Sequence, residues 1–407
     1  MLADVPAVLM LVGLAAYAVL AGADFGAGFW ILLPRGGRAS PEATRDHARH
    51  AMGPVWEANH VWLIFVLVVC WTAYPVAFGS IMSTLTVPVF VAAVGIILRG
   101  ASYALRGPLD DAPQRRLVEN IFALSSVLTP FALGTVVGAI ASGRVPVGNA
   151  AGDLVTSWMN PTSLFIGALT VATSGYLAAV YLAADARRLA EPALERDFRA
   201  RALGAGVVAG AFAITGLFVV RQDARPIWDG LTSGGGLVLV SASAAAGLAT
   251  LVLVWGRRFG PARASAAVAV AAIVAGWAVA QHPRFLPGLT IGQAAAGRAT
   301  LSAVVIGVAI GAIVLVPSLV LLFSLFLRGH LDVGAAAGGP VVEPSSPAAT
   351  DRSRWFGAFA LAGLLAVAGL MVFADSGWAH AIAVAGLCVF AAAAFVLTAT
   401  VPDEGPD

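Results

Sequence analysis

The chain has 407 residues, of which 59% are hydrophobic and only 11% are charged, so its polar surface is too small for a water-soluble globule. The formal net charge of +2 and the absence of basic runs argue against a nucleic-acid partner. The two cysteines, Cys70 and Cys388, lie in apolar runs and do not indicate a disulfide framework or a thiolate metal site. The composition predicts a polytopic membrane protein.

Eleven apolar runs are long enough to cross a bilayer, which takes about 20 helical residues. No cationic residue precedes the first run, so a cleavable signal is not predicted. Because lipid cannot satisfy bare backbone polar groups and no alternating barrel pattern occurs, each run is predicted to be a helix. In chain order the runs lie near residues 5–33, 55–73, 81–98, 117–141, 161–184, 202–220, 236–255, 264–281, 299–327, 355–374 and 379–400.

Arginine placement predicts the orientation of these spans. If the spans alternate in direction, one side of the membrane holds only five arginines, namely Arg144, Arg221, Arg225, Arg284 and Arg298. The other 19 of the 24 arginines lie on the opposite side. Cytoplasmic loops carry an excess of positive charge, so the N-terminus is predicted to lie outside and the C-terminus in the cytoplasm.

A stretch rich in Gly, Ala and Pro divides the chain. Residues 331–354 are predicted to form a cytoplasmic linker between a transmembrane core at 1–330 and an additional C-terminal hairpin at 355–407. The predicted fold is all-α, with a nine-span core of two four-helix bundles plus one helix, and about eleven spans in all.

The first span carries a carboxylate, Asp24, among several glycines. An ionisable group inside a span costs roughly 2.5–3.5 kcal/mol, so it needs a function or a partner. Asp24 lies about nine residues, or roughly 13 Å, from the cytoplasmic end of the span. The flanking glycines allow another helix to approach closely. A buried aspartate satisfied by a neighbouring backbone group or arginine is the structural alternative.

The second span opens with Glu57, Asn59 and His60, flanked by Trp56 and Trp62. Glu57 and His60 are three residues apart and therefore share a helix face. Each side chain also has an ordinary interpretation: a capping acid for Glu57, a hydrogen-bonded interior histidine for His60, and interfacial anchors for the tryptophans. In a proton path, Asn59 and His60 would support the acid.

Asp24 and Glu57 together predict a proton path or a cation site. Both lie toward the cytoplasmic side of consecutive antiparallel helices. Arg99 and Arg106, seven residues apart near the end of the third span, are either counter-ions to these acids or ordinary positive-inside flanking residues. A proton- or sodium-coupled secondary transporter would use such acids as well, so this function remains an alternative.

The histidines do not indicate a haem site. Of the six histidines only His60 lies well inside a span, so a bis-histidine haem in this chain is not predicted, and no metal ligands are assigned. Walker, dinucleotide-binding and CxxCH motifs are also absent from the sequence. Any redox cofactor is expected to be held mainly by a partner.

Two segments, residues 24–28 (Asp-Phe-Gly-Ala-Gly) and 54–63, resemble subunit II of the cytochrome bd-type quinol oxidases, the heterodimeric terminal oxidases of bacteria. The Trp-Glu-Ala-Asn-His-Val-Trp block in the second segment is highly specific. Supporting matches, which extend the resemblance over residues 1–330, lie at 74–78, 99–106, 160–161 and 282–287.

The resemblance implies a nine-span subunit that pairs with a homologous subunit I in the bacterial cytoplasmic membrane. It implies that haem b, haem d and the site of quinol oxidation belong to subunit I, and it leaves room for small accessory subunits. For this subunit it implies proton conduction at Asp24 and Glu57. It also associates Trp56 with a bound quinone. The predicted spans after residue 354 depart from the family pattern.

Overall fold

The computed structural model of the chain describes residues 2–34, 37–50, 55–105 and 112–327. Most of these residues are helical, and a short antiparallel hairpin separates two of the helices. The elements are α1 (Asp4–Leu32), α2 (Pro41–His50), α3 (Val55–Ala73), α4 (Pro75–Thr84), α5 (Thr86–Leu105), α6 (Ala112–Ala141), α7 (Pro161–Arg188), α8 (Pro192–Asp223), α9 (Arg225–Leu231), α10 (Gly234–Trp255), α11 (Phe259–Gln281), β1 (Arg284–Leu286), β2 (Leu289–Thr290), α12 (Ile291–Ala294) and α13 (Arg298–Leu327).

Eight of the described helices are long and apolar enough to cross a membrane: α1, α5, α6, α7, α8, α10, α11 and α13. The segment Asn59–Ala73 of α3 is a shorter apolar helix within the described residues. These helices coincide with the predicted runs up to residue 327, so the all-α transmembrane fold is confirmed. The predicted linker at 331–354 and the hairpin at 355–407 lie outside the described residues and stay predictions.

The third predicted span, at residues 81–98, is wrong at its start. Ile81 belongs to α4, and α5 begins only at Thr86. Pro88 explains the break, because a proline has no amide hydrogen and its ring clashes with the carbonyl four residues earlier, that of Thr84. The helix therefore ends at Thr84, and the chain turns before a new helix starts.

Capping residues, prolines and helix-favouring residues determine where α7 and α8 begin. Asn160 caps α7 by accepting a hydrogen bond at 3.0 Å from the amide of Ser163, and Pro161 follows it in the first turn. α8 begins at Pro192, well before the predicted start near residue 202, because the charged residues after Pro192 favour helix although they are not apolar. Hydropathy therefore identifies the apolar centre of a span but not its full length.

The long helices pack as two groups of four. In the first group, α1 contacts α3 and α6, and α6 contacts α5. In the second, α7, α8, α10 and α11 form a closed ring of neighbours. α1 and α6 also pack against α7, and buried side chains of α7 such as Leu177, Val180 and Leu182 fill the core there. This arrangement matches the predicted pair of four-helix bundles, with α13 as a further helix.

The alternating long helices divide their connections between two ends. Among the described residues, the arginine-rich end contains 33–34, 37–50, 189–191 and 256–258, and the arginine-poor end contains 74–85, 142–160, 224–233 and 282–297. The location of the arginine-rich end in the cytoplasm stays a prediction from charge.

Two stretches of the family resemblance, 74–78 and 282–287, meet at the arginine-poor end. The hydroxyl of Tyr74 donates to the carbonyl of Ala3 at 2.5 Å, and its ring lies 5.0 Å from the ring of Phe285. Nearby, the amide of Ala296 donates to the carbonyl of Ala73 at 2.8 Å. These contacts join the β-hairpin region to α1 and α3, which gives both stretches a structural role.

A second group of contacts at the arginine-poor end centres on Asp223, at the end of α8. Arg144 donates to both of its carboxylate oxygens, at 2.9 and 2.5 Å. Thr162 donates to the same carboxylate from its hydroxyl at 2.6 Å and from its amide at 3.2 Å. Asp223 therefore ties the α6–α7 connection and the start of α7 to the end of α8.

Replacing Asp223 with asparagine should destabilise this end measurably. The bidentate, charge-assisted pair is partly exposed, so we expect a loss of about 1 kcal/mol, or roughly 2–4 °C in apparent Tm. Thermal denaturation of the purified protein measures the shift. Asp229→Asn is the control, because its pair with Arg225 at 3.3 Å is exposed. Equal shifts in the two variants would contradict the role given to Asp223.

Candidate functional site

A buried ion pair joins α1 to α5 inside the first group of helices. Nη2 of Arg99 donates to Oδ1 of Asp24 at 2.6 Å and to the backbone carbonyl of Asp24 at 3.0 Å. The side chains are only 2% and 5% exposed, respectively. Removing two charges from water costs several kcal/mol per ion unless they are paired and hydrogen-bonded. Asp24 and Arg99 therefore depend on each other.

The guanidinium of Arg99 is held on its other sides by α1 and α6. Its Nη1 donates to the hydroxyl of Ser126, which itself donates to the carbonyl of Phe122 at 2.6 Å. The guanidinium also lies 4.9 Å from the ring centre of Phe25 and 4.4 Å from that of Phe122. Cation–π contacts strengthen when they are shielded from water, so these rings fix the arginine beside the carboxylate.

Glycines on α1 allow the close packing around this pair. A Cβ at Gly26 would collide with the backbone carbonyl of Ser174 on α7, and a Cβ at Gly28 would collide with the side chain of Ser126. One turn further along α1, the indole of Trp30 donates to the carbonyl of Gly175 at 2.9 Å. The absence of side chains at positions 26 and 28 thus brings α1 against both α6 and α7 beside Asp24.

Polar residues of α3 lie against the same part of α1. The amide of Asn59 is buried and lies 3.4 Å from the carbonyl of Leu20, to which it donates. The ring centre of His60 lies 6.0 Å from that of Tyr17 and 6.0 Å from that of Phe25. Both α3 side chains therefore face α1 between Tyr17 and Phe25, next to Asp24.

The structure brings together four of the predicted site residues: Asp24, Asn59, His60 and Arg99. Glu57 lies in α3 one turn before His60, but its side chain and that of Trp56 are outside the described residues. Arg106 is outside them as well. Arg99 is enclosed among protein groups, so its position does not fit a solvated flanking residue.

Two residues near Asp24, namely Ser126 and Tyr17, were not predicted from the sequence. Ser126 was indistinguishable from other hydroxyl residues of an apolar span, although the adjacent pair Ser125 and Ser126 was a weak signal. Tyr17 lies seven residues before Asp24, which places both on one face of α1. A tyrosine two turns away from a buried carboxylate was the signal that could have identified it.

The ion pair with Arg99 uses one carboxylate oxygen of Asp24 and leaves Oδ2 available for proton transfer. Oδ1 of Asp24 is occupied by Arg99, whereas Oδ2 is buried and accepts no hydrogen bond from any residue that the structure describes. Arg99 thus orients the carboxylate, and Oδ2 is the atom that can accept a proton or a hydrogen bond from water. The arrangement suits proton handling inside a membrane, where ionisable groups usually mark such paths.

Two histidines of the described residues, His47 and His60, are packed against other groups of the protein. His47 is buried, and its Nε2 lies 2.9 Å from the carbonyl of Leu182, which commits it to a backbone hydrogen bond. The ring of His60 is packed against two aromatic rings. Among the described residues there is no group of three or more His, Cys, Asp or Glu side chains that could hold a metal.

Two curated relatives are similar to this chain, the first over most of its length and the second over a shorter part. One relative, a Bacillus subtilis (strain 168) protein assigned as cytochrome bd menaquinol oxidase subunit II, is 22% identical over 322 residues, which cover 77% of this chain and 92% of that protein. Another, the cytochrome bd ubiquinol oxidase subunit 2 of the same organism, is 26% identical over 115 residues, or 28% of this chain and 33% of that protein.

The structural comparison and the family model both match proteins of the bd oxidases. The structure superposes on a chain of the bd oxidase from Geobacillus thermodenitrificans with a TM-score of 0.66 and 25% identity, covering 80% of this chain and 99% of that one. A family model described as cytochrome bd terminal oxidase subunit II matches residues 2–326. The predicted spans after residue 354 lie beyond this match. The chain belongs to the cytochrome bd terminal oxidase subunit II family.

Proposed function

We propose that this chain is the haem-poor subunit of a heterodimeric terminal oxidase, which oxidises quinol and reduces oxygen to water in the bacterial respiratory chain. Family membership makes it a subunit of a bd-type oxidoreductase complex that contains haem and quinol and has a subunit I partner. In the proposal, subunit I carries haem b, haem d and the quinol-oxidising site. The commitment of His47 to a backbone carbonyl supports that division.

The second part of the proposal is a proton path through this chain from the cytoplasm. The proposal rests on the buried carboxylate of Asp24: Arg99 binds one of its oxygens, and the other oxygen accepts no hydrogen bond from the residues that the structure describes. A purely structural ion pair would be expected to use both carboxylate oxygens, because each unpaired buried polar atom costs free energy. An oxygen left open inside the protein favours proton transfer.

In this path, Arg99 orients Asp24, and Oδ2 of Asp24 accepts the proton and passes it on. Glu57 is the proposed donor on the cytoplasmic side, since it lies in the first turn of α3, which packs against α1 and runs antiparallel to it. Asn59 and His60 face α1 beside Asp24 and would position bridging water. The path requires the predicted orientation, with the arginine-rich end in the cytoplasm and the N-terminus outside.

A proton- or sodium-coupled transporter is not favoured, because the family match extends over residues 2–326. Purification of a tagged chain from its native membrane tests the subunit assignment directly. A haem-containing partner chain should elute with it and give a visible haem spectrum. A colourless protein that contains only copies of this chain would contradict the assignment.

The proton path predicts that Asp24→Asn and Glu57→Gln each slow quinol-driven oxygen consumption per haem of the assembled complex. In Asp24→Asn the guanidinium of Arg99 keeps its bond to the backbone carbonyl of residue 24 and its two ring contacts, so enough complex should assemble for its haem spectrum to be recorded. Amides cannot carry the proton, and a positioned acid–base group contributes roughly 10²–10⁴-fold, so we expect at least about a tenfold loss. Asp153→Asn is a matched control, because Asp153 is exposed at the arginine-poor end, where it caps the amides of Val155 and Thr156. Normal turnover in both test variants would remove the proton path.

A further inference from the structure

The hydroxyl of Tyr17 is a buried polar group that neither packing nor hydrogen bonding explains. Tyr17 lies on α1 between Asp24 and the arginine-poor end and is only 6% exposed. Its side chain packs in a cluster with Ala21 and Phe25, against Leu63 and Leu133. Within the described residues the hydroxyl has no hydrogen-bond partner. A phenylalanine would fill such an apolar cluster equally well and would avoid the cost of a buried hydroxyl.

Tyr17 continues the line of polar groups that starts at Asp24. The two residues are seven apart, or two helical turns and about 10 Å along α1. The His60 ring lies beside both Tyr17 and Phe25, at 6.0 Å from each ring centre. Asn59 donates to the carbonyl of Leu20, which lies between Tyr17 and Asp24 on α1. Polar groups therefore occur at successive levels along the seam between α1 and α3.

Three buried oxygens on this seam share one property. Oδ2 of Asp24, Oδ1 of Asn59 and the hydroxyl oxygen of Tyr17 accept no hydrogen bond from any side chain or backbone group that the structure describes. More than nine-tenths of buried polar groups in proteins are paired with protein or with ordered water. Water that makes about three hydrogen bonds to such groups is the ordinary solution. All three side chains lie on α1 or beside it between Tyr17 and Phe25, so bridging water along the α1–α3 seam would satisfy them together.

We propose that Tyr17 is a further relay residue, which carries protons from Asp24 along the α1–α3 seam toward the arginine-poor end. A water molecule donates a proton to the hydroxyl oxygen as the hydroxyl's own proton passes to the next water. One O–H bond forms and one breaks, so the phenol is unchanged after each transfer. This inference rests on the proposed proton path. It adds the next step of that path, from Asp24 toward the arginine-poor end.

Tyr17→Phe tests the proposal because it removes one oxygen and keeps the ring. In the purified heterodimer we expect oxygen consumption to fall about five- to tenfold, within the lower range for a positioned proton-transfer group. The haem spectrum should be retained, and the apparent Tm should be unchanged or higher. The ratio of rates in H2O and D2O should increase, since proton delivery becomes slower. Tyr176→Phe is the control, because Tyr176 is equally buried but lies on α7.

The outcomes separate this inference from the proton path itself. Full turnover of Tyr17→Phe beside slow turnover of Asp24→Asn would overturn the role of Tyr17 and leave the path intact. Full turnover of both variants would overturn both proposals. Loss of haem or of assembly in Tyr17→Phe would show that the hydroxyl is structural and would overturn the relay role. Partial recovery of turnover by Tyr17→His, which restores a group that transfers protons, would support the relay.

Discussion

Replacing Arg99 with glutamine is expected to abolish accumulation of the assembled oxidase. The change leaves the carboxylate of Asp24 buried without its counter-ion, which costs about 3–5 kcal/mol in comparable buried pairs. The variant also loses the contacts of the guanidinium with Phe25, Phe122 and Ser126. A loss of this size is a large fraction of the stability of a typical domain. The yield of haem-containing complex from membranes measures the effect.

A double variant identifies the cause of that loss. Asp24→Asn combined with Arg99→Gln removes both charges, so assembly should recover substantially although turnover stays low. Arg221→Gln is the control for removing an arginine, since Arg221 is exposed and has no ion pair or side-chain hydrogen bond with the residues described. Its guanidinium lies 5.5 Å from the ring centre of Trp228. If the double variant accumulates as poorly as Arg99→Gln alone, the unpaired charge is not the reason for the defect.

Gly26→Ala should be the second most damaging change, although it adds a single methyl group. The new Cβ would overlap the backbone carbonyl of Ser174 and press on the Cβ of Ala178, so α1 and α7 would have to move apart. Overpacking of this kind costs about 1–3 kcal/mol, and more where backbone must shift. Separation of these helices would also disturb Asp24, two residues earlier. We expect little haem-containing complex in the membrane.

Gly22→Ala is the matched control on the same helix. Its Cβ would lie 3.3 Å from a terminal methyl of Leu177 and 3.7 Å from the hydroxyl of Ser174, and a flexible side chain can yield by a few tenths of an ångström. This variant should accumulate nearly normally. Similar yields for Gly26→Ala and Gly22→Ala would show that the close approach of α1 and α7 is not required.

The course of the helices was predictable because the thickness of the bilayer sets the length of each apolar run. The starts of the helices were less predictable. The charged first turns of α8 precede its apolar run, and Pro88 interrupts the third predicted apolar run. The short helices α2, α4, α9 and α12 carry no apolar run of spanning length. Their positions depend on caps, prolines and contacts with distant parts of the chain.

The sequence was enough to predict a functional carboxylate at Asp24, but not to decide which residue forms an ion pair with it. A carboxylate among glycines marked Asp24, because the cost of burying such a group demands a reason. Its pairing with Arg99 remained one of two interpretations, since an arginine near a span end is also typical of cytoplasmic flanks. Only the packing of α6 against α1, and of α5 against α6, brings Arg99 and Ser126 to the carboxylate. Whether Glu57 joins them stays a prediction.

The contacts of α1 have a consequence for biogenesis. Arg99 follows Asp24 by 75 residues, so at ribosomal speeds of about 5–20 residues per second the carboxylate waits roughly 4–15 s for its counter-ion. The α7 surface that receives Trp30 emerges 145 residues after it, roughly 7–30 s later. During synthesis the first helix therefore spends seconds without the counter-ion and the backbone acceptor that its polar side chains have in the folded protein.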